Sequence, residues 1–252
     1  MVKSLYAAFA TAMGLLLMAS PAPQRKTRAI AAEGMSFVYV DLGSRPPVIL
    51  VHGSISDYRE WSTEIEALAK HHRVIAYSRR YHWPNPPPGK DANATVARQA
   101  EDLAAYQILA TCAGEYCWSF LRRHNRAVPC AQHPELVRSL VLLEPPVPGA
   151  LVGTPENEMV VKEGQAVNVL AFQLDFTSPR PALTCEDLQR IAAPTLVLTG
   201  GRSPMGLQQT AMGVARCLKG GNILKLPQAT HHMQLDSPQE VNDAVLAFLA
   251  KH

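Results

Sequence analysis

The sequence predicts an α/β domain, a mainly parallel central sheet flanked by helices. Three observations predict it. Short continuous apolar runs recur along the chain and halt on glycine or polar residues, as strands buried on both faces do. Segments with apolar residues at helical spacing alternate with those runs, which implies parallel strands joined by helical crossovers. The 252 residues are 47% hydrophobic and 18% charged, and a single α/β domain of that size buries most of its unfolded surface without a metal or disulfide staple.

The elements follow in order. Met35-Ser-Phe-Val-Tyr-Val40 alternates and reads as a strand ending at Gly43. Pro46-Pro47 introduces the run Val48-Ile-Leu-Val51, which stops at His52-Gly53. Trp61, Ile65 and Leu68 share a helical face over 61–70, and Val74–Tyr77 is a further strand. The proline cluster over 83–91 is a loop. Val96, Ala100, Leu103 and Ala104 line one face of a helix over 95–106. Val137–Leu143 is a strand, and helical segments fall around 160–172 and 185–191. Pro194–Gly200 is a strand stopping on glycine, 208–218 a helix, and Asn222–Leu226 the last strand. Ser237 as N-cap and Pro238 at the first helical position open a final helix through Leu249.

Twenty-four basic residues against 21 acidic ones leave a net charge of +3 with no basic stripe, which argues against a nucleic-acid partner. Five cysteines, an odd number, exclude a complete disulfide framework, and Cys112, Cys117 and Cys130 crowd into 107–130. Lys3, the apolar run Leu5–Ala19 and the small residues Ser20-Pro21-Ala22 form a signal-peptide pattern, with cleavage after Ala22 or later, near 29–31. The run is short for a stable membrane span, although an uncleaved segment would anchor the chain. The expectation is therefore an exported protein, periplasmic or secreted. Residues 1–30 form the signal peptide or N-terminal extension and 31–252 the folded domain.

The pieces Val48-Ile-Leu-Val-His-Gly53, Tyr58-Arg-Glu-Trp61, His133-Pro-Glu-Leu-Val-Arg-Ser-Leu-Val-Leu-Leu-Glu144, Ala193-Pro-Thr-Leu-Val-Leu-Thr-Gly200 and His231-His-Met-Gln-Leu-Asp-Ser-Pro238 stand in a telling order. Together they resemble the α/β-hydrolase superfamily over about residues 35–252. The branch they look like holds small esterase-like and dehalogenase- or epoxide-hydrolase-like members. The resemblance implies a nucleophile on a sharp strand-to-helix turn, a histidine base and a carboxylate that orients it. It also implies a short cap over about 145–192 and no cofactor.

The resemblance places the base at His231, five residues before Asp236 and seven before Pro238; adjacent His232 is the rival, and the spacing favours His231. Many relatives carry the acid in the loop after the strand ending at Gly200, but here that loop reads Gly201-Arg-Ser-Pro204 and holds no carboxylate. Glu144, closing the strand over 137–143, stands where a subset of the superfamily, many haloalkane dehalogenases included, keeps its acid. The competing role for Glu144 is a cap or ion pair at the sheet edge. His52-Gly53 forms the turn, with Gly53 permitting it. The backbone N–H of Ser54 or Ile55 would be half of an oxyanion hole. Trp61 fits either the pocket wall or the core.

The nucleophile is unknown. A Gly-x-Ser-x-Gly elbow belongs between the helix ending near Tyr106 and His133, yet none occurs anywhere in the chain. Residues 107–130 show neither the apolar strand nor the small-residue helix expected there, and instead concentrate cysteine, arginine and tryptophan. Reading each codon one base later from Tyr116 explains the anomaly. The Trp118–Ser119 junction then forces Gly, and its neighbours permit Ile-Val-Gly-His-Ser-Phe-Gly-Gly, an elbow of the family type. The Phe120–Leu121 junction permits Ser and never Asp, which favours a serine nucleophile over the dehalogenase chemistry. The segment is thus expected to be an out-of-frame translation of a normal elbow. Ser119, Cys112 and Cys117 lack the flanking glycines that expose a nucleophile. Glu115 and Arg122-Arg123 would put unpaired charge into the core, at a cost of several kcal/mol against a whole stability of about 5–15 kcal/mol. Poor folding and no catalysis are expected.

Metal ligation is not expected, because His71-His72 and His231-His232 are adjacent pairs without ligand spacing, and no glycine-rich phosphate loop follows a strand. The expected partner is a small-molecule substrate. The competing reading is a non-catalytic binding protein or pseudoenzyme on the same fold; the retained His231 and Glu144 speak for recent loss instead.

Overall fold

A computed structural model describes residues 25–32, 34–44, 46–53, 56–111, 117–122, 137–145 and 184–252. Among them runs an eight-stranded sheet: β1 (Thr27–Ala32), β2 (Met35–Leu42), β3 (Pro47–Val51), β4 (Arg73–Tyr77), β5 (Cys117–Arg122), β6 (Val137–Leu143), β7 (Thr195–Gly200) and β8 (Gly221–Leu226). The spatial order is β1-β2-β4-β3-β5-β6-β7-β8. β1 and β2 are antiparallel to their neighbours, and every pair from β4 onward is parallel. Helices α1 (Ser62–Leu68), α2 (Val96–Thr111), α3 (Cys185–Gln189), α4 (Met205–Cys217), α5 (Met233–Asp236) and α6 (Pro238–Leu249) complete the described elements, with a 3-10 turn at Tyr58–Trp61.

Alternate strand residues feed two cores, one on each sheet face. Ile49, Val51, Ile75, Tyr77, Leu140, Leu142 and Val197 pack on one side with Leu103 and Tyr106 of α2 and with Ala211 and Val214 of α4. Val48, Leu50, Val74, Ala76, Val141, Leu143, Leu196 and Leu198 pack on the other with Ile65 and Leu68 of α1 and Val241 and Val245 of α6. Each such aliphatic side chain contributes roughly 1.5–3 kcal/mol on burial. Both faces are covered, which is why these strands are continuous apolar runs and not alternating ones. Tyr106 stacks on Tyr77 with ring centres 4.1 Å apart and so fixes α2 against the sheet. Trp61 is fully buried in the second core, which settles it as core packing and not pocket wall.

Three expectations are corrected, and one bond that the sequence left open is found. The fold begins earlier than residue 31, because β1 starts at Thr27 and pairs along its whole length with β2. Ser237 takes the N-cap position but makes no side-chain cap bond, so Pro238 at the first position is what remains of that signal. Cys185 and Cys217 form a disulfide, joining α3 to the end of α4; with five cysteines the sequence left pairing open. Residues 117–122 form a strand after all, in the central slot between β3 and β6. Its aromatic and apolar residues suit a strand, and an empty slot would leave the facing polar groups of two strands unpaired. The signal-peptide pattern up to residue 24, Ser54, Ile55, Cys112, Glu115, Arg123, Cys130, the helical segment at 160–172 and most of the cap lie outside the described residues.

Candidate active site

The site is built where parallel strands end, along the carboxyl edge of the sheet. β6 delivers Glu144, one residue past its last strand position. Glu144 has φ +40°, a left-handed backbone that a side-chain-bearing residue adopts only under constraint. The constraint is visible in its bonds. Oε1 accepts from Thr199 Oγ1 at 2.9 Å and from the Gly200 N–H at 2.7 Å, both at the end of β7. Oε2 accepts from His231 Nδ1 at 2.6 Å. Both side chains are buried. Burial would push the Glu144 carboxyl up, but the hydrogen bond from His231, with the Gly200 N–H behind it, holds it below the ordinary carboxylate range. An ionised Glu144 makes Nδ1 the protonated nitrogen and leaves Nε2 as the acceptor, the tautomer a general base needs. Glu144 is thus bonded at once to His231 and to the end of β7.

Gly200 makes the approach possible. A Cβ there would stand 2.4 Å from the Ala229 carbonyl and 2.7 Å from that of Thr230, the residues leading into His231. His231 is held from its other side too. Asp236 Oδ2 accepts from the Thr230 N–H at 3.0 Å and from the Thr230 hydroxyl, which closes the turn carrying His231 and His232. His232 makes no bond to Glu144 and instead donates its own N–H to Thr230 Oγ1.

His52 and Gly53 follow β3 onto the same edge. His52 is fully buried. Its Nε2 accepts the Arg79 N–H at 2.9 Å, so Nδ1 carries the proton and donates to the Gly53 carbonyl at 2.6 Å. The ring is thereby held neutral and serves as a structural brace. Gly53 is a correction: its backbone is not left-handed, and a Cβ there would meet only ordinary contacts with Glu60 and Ser56. Conformational freedom is therefore not what this glycine supplies.

The nucleophile position is defined by register alone. Leu121 pairs with Val51 and Leu142, and Arg122 with Leu143, so the chain reaches the carboxyl edge at the end of β5. Ser119 pairs with Ile49 and Leu140, inside the sheet and short of that edge, and Cys117 pairs with Val137 near the opposite end. Neither stands where an elbow presents a nucleophile. Arg122 closes β5.

Several residues of this constellation carried no sequence signal. Thr199 and Gly200 were read only as a strand end. Glu60, Arg79 and Gln234 come together from distant positions, and no local spacing announces them. Among the described residues no cluster of three or more His, Cys, Asp or Glu is placed to hold a metal, and no helix is long and apolar enough to cross a membrane.

Comparison with known proteins agrees with this architecture. A search of curated proteins finds no match. Among solved structures, an N-acyl homoserine lactone degrading enzyme superposes with a TM-score of 0.74 at 17% identity, over 88% of this chain and 100% of that one. An esterase from Thermogutta terrifontis gives 0.71 at 19% identity, over 90% and 98%. A meta-cleavage product hydrolase from Pseudomonas fluorescens gives 0.70 at 19% identity, over 89% and 97%. At these identities the likeness is one of fold. The model of the alpha/beta hydrolase family matches residues 48–244, a span that takes in the turn after β3, Glu144 and His231, and the chain belongs to that family.

Proposed function

We propose that this α/β-hydrolase descends from an enzyme that hydrolyses a small ester-like substrate, and that the chain as written lacks its nucleophile and is inactive. The observation that carries the reading is the buried 2.6 Å bond between His231 Nδ1 and Glu144. A binding protein would have no use for a base oriented in this way. In the intact reaction a serine Oγ at the end of β5 attacks the ester carbonyl carbon, and His231 Nε2 takes the serine proton. The backbone N–H of residue 54 or 55 stabilises the oxyanion. His231 returns the proton to the departing alcohol, and water, deprotonated by the same histidine, releases the acid.

The missing serine is accounted for by an out-of-frame reading of residues 107–130. The esterase and the lactone-degrading enzyme among the structural neighbours favour a carbonyl substrate, which agrees with a shifted frame that permits Ser and excludes Asp. The Cys185–Cys217 disulfide supports export, since such bonds persist in oxidising compartments.

The test compares two proteins made from one gene: the chain as written and a shifted-frame chain in which residues 107–130 are translated one base later. The shifted-frame chain is expected to hydrolyse p-nitrophenyl acetate on the order of 10⁶-fold faster, the scale lost when a serine nucleophile is removed. Comparable turnover by the chain as written would overturn the inactivity. Ligand binding without turnover by the shifted-frame chain would favour the non-catalytic reading.

A further inference from the structure

The Gly53 peptide is gripped on both sides. Its carbonyl accepts from His52 Nδ1 at 2.6 Å and from Arg79 Nη1 at 3.3 Å. Arg79 is itself held by Gln99, whose Oε1 accepts from Nε at 2.8 Å. On the other side the Gly53 N–H donates to Glu60 Oε2 at 2.9 Å, and the Ser56 hydroxyl donates to the same oxygen. The backbone N–H of residue 54 or 55, the proposed oxyanion donor, follows this gripped peptide directly in the chain.

The second oxygen of Glu60 reaches elsewhere. Oε1 accepts from Gln234 Nε2 at 2.8 Å. Gln234 sits in α5, three residues beyond His231, and its side chain is fully buried. Its Oε1 has no hydrogen-bond partner among the described residues, so the bond to Glu60 is the polar anchor that holds this amide. One carboxylate therefore joins the Gly53 peptide to the helix that follows His231. Charge-assisted bonds of this kind are stronger and more directional than neutral ones.

We infer that Glu60 is a positioning residue that couples the Gly53 turn to the His231 segment, so that oxyanion donor and base keep one mutual geometry. It touches neither substrate nor reacting atoms. A staple of purely local effect would tether Gly53 and Ser56 and leave α5 indifferent; the bond to Gln234 is what separates the two roles. The inference rests on the hydrolytic reading for its catalytic consequence and on the bonds alone for the coupling.

The coupling is tested by amide hydrogen exchange on the full chain and, in parallel, on the shifted-frame chain. Glu60→Gln is expected to speed exchange about tenfold in both 53–57 and 230–236, the scale of losing one net hydrogen bond in a local opening. Gln234→Leu, which leaves Glu60 in place, is expected to loosen 53–57 as well, and it carries the test if Glu60→Gln does not fold. Acceleration confined to 53–57 in Glu60→Gln, or an unchanged 53–57 segment in Gln234→Leu, overturns the coupling. In the shifted-frame chain, Glu60→Gln is expected to lower kcat by about 10²-fold with KM nearly unchanged, as misaiming one oxyanion donor does. A raised KM at unchanged kcat overturns the positioning role. If the shifted-frame chain with Glu60 intact hydrolyses no ester, the hydrolytic reading fails and the exchange result still decides the coupling.

Discussion

On the β6–β8 side of the carboxyl edge, Glu144 makes three hydrogen bonds, two of them to the end of β7, and the turn bearing His231 is closed by Thr230 and Asp236. On the β5 side, the strand reaches the same edge in register, yet its sequence offers no serine at the end and no glycine on either side of one. The difference teaches how this fold stores its chemistry. The Glu144–His231 pair is held by side-chain bonds between segments far apart in the chain, so its geometry does not depend on the sequence of β5. A nucleophile elbow is a backbone conformation written in a few consecutive small residues, so it depends on local sequence alone. A site drawn from separate strand ends can lose one member and keep the geometry of the others.

The largest effect that would sharpen this comparison is at Glu144. In the shifted-frame chain, Glu144→Gln keeps the shape of the side chain but sets an amide where Nδ1 donates or where the Gly200 N–H does. The His231 tautomer is no longer enforced, and kcat is expected to fall by about 10⁴-fold with the fold retained. Ester hydrolysis measured beside a circular dichroism melt checks it. A loss below tenfold would mean that Glu144 is a structural acceptor and that the two sides of the edge are equally incomplete.

A smaller effect concerns the staple on the intact side. Cys185–Cys217 closes a loop with a sequence separation of 32 and ties α3, begun by the Thr184–Asp187 capping box, to the end of α4. Chain-entropy arguments give about 3.7 kcal/mol for a loop of that length. Cys185→Ala with Cys217→Ala is expected to lower unfolding free energy by about that amount in urea, and a reductant should have the same effect on the parent and none on the double variant. An unchanged midpoint would mean that packing of α3 and α4 alone holds this side.

The contrast also marks how far the sequence could be read. Buried parallel strands announce themselves, because both faces demand apolar residues; β3, β6 and β7 were legible for that reason. Glu144 stands out as a carboxylate at a strand end and His231 by its spacing to Asp236 and Pro238, and the structure brings the two side chains together. β1 was not, since an exposed edge strand imposes no apolar pattern. β5 was misjudged because its segment was weighed as part of an anomalous stretch, although the slot between β3 and β6 and the aromatic residues themselves favour a strand. Glu60 and Gln234 meet across a separation of 174 residues, and nothing local in either segment signals it. Gly53 was assigned the wrong virtue, since a turn after a strand does not by itself need a left-handed residue.

The smallest effect is in the pH dependence of stability, and its sign follows from Glu144. Its folded-state pKa lies below the ordinary value of 4.5, so the ionised carboxylate contributes stability that is fully present above that value. The contribution is lost as pH falls through the lower, folded-state value, because the unfolded chain takes up the proton first. Glu144→Gln removes this contribution at every pH. The stability difference between the parent and Glu144→Gln is therefore expected to narrow as pH falls below about 4.5. Urea titrations at half-unit steps would read it. A difference that stays constant down to pH 3 would mean that His231 and the β7 donors do not hold the carboxylate charged. The intact side of the edge would then owe its order to neutral hydrogen bonds and packing, and its contrast with β5 would be one of shape and not of charge.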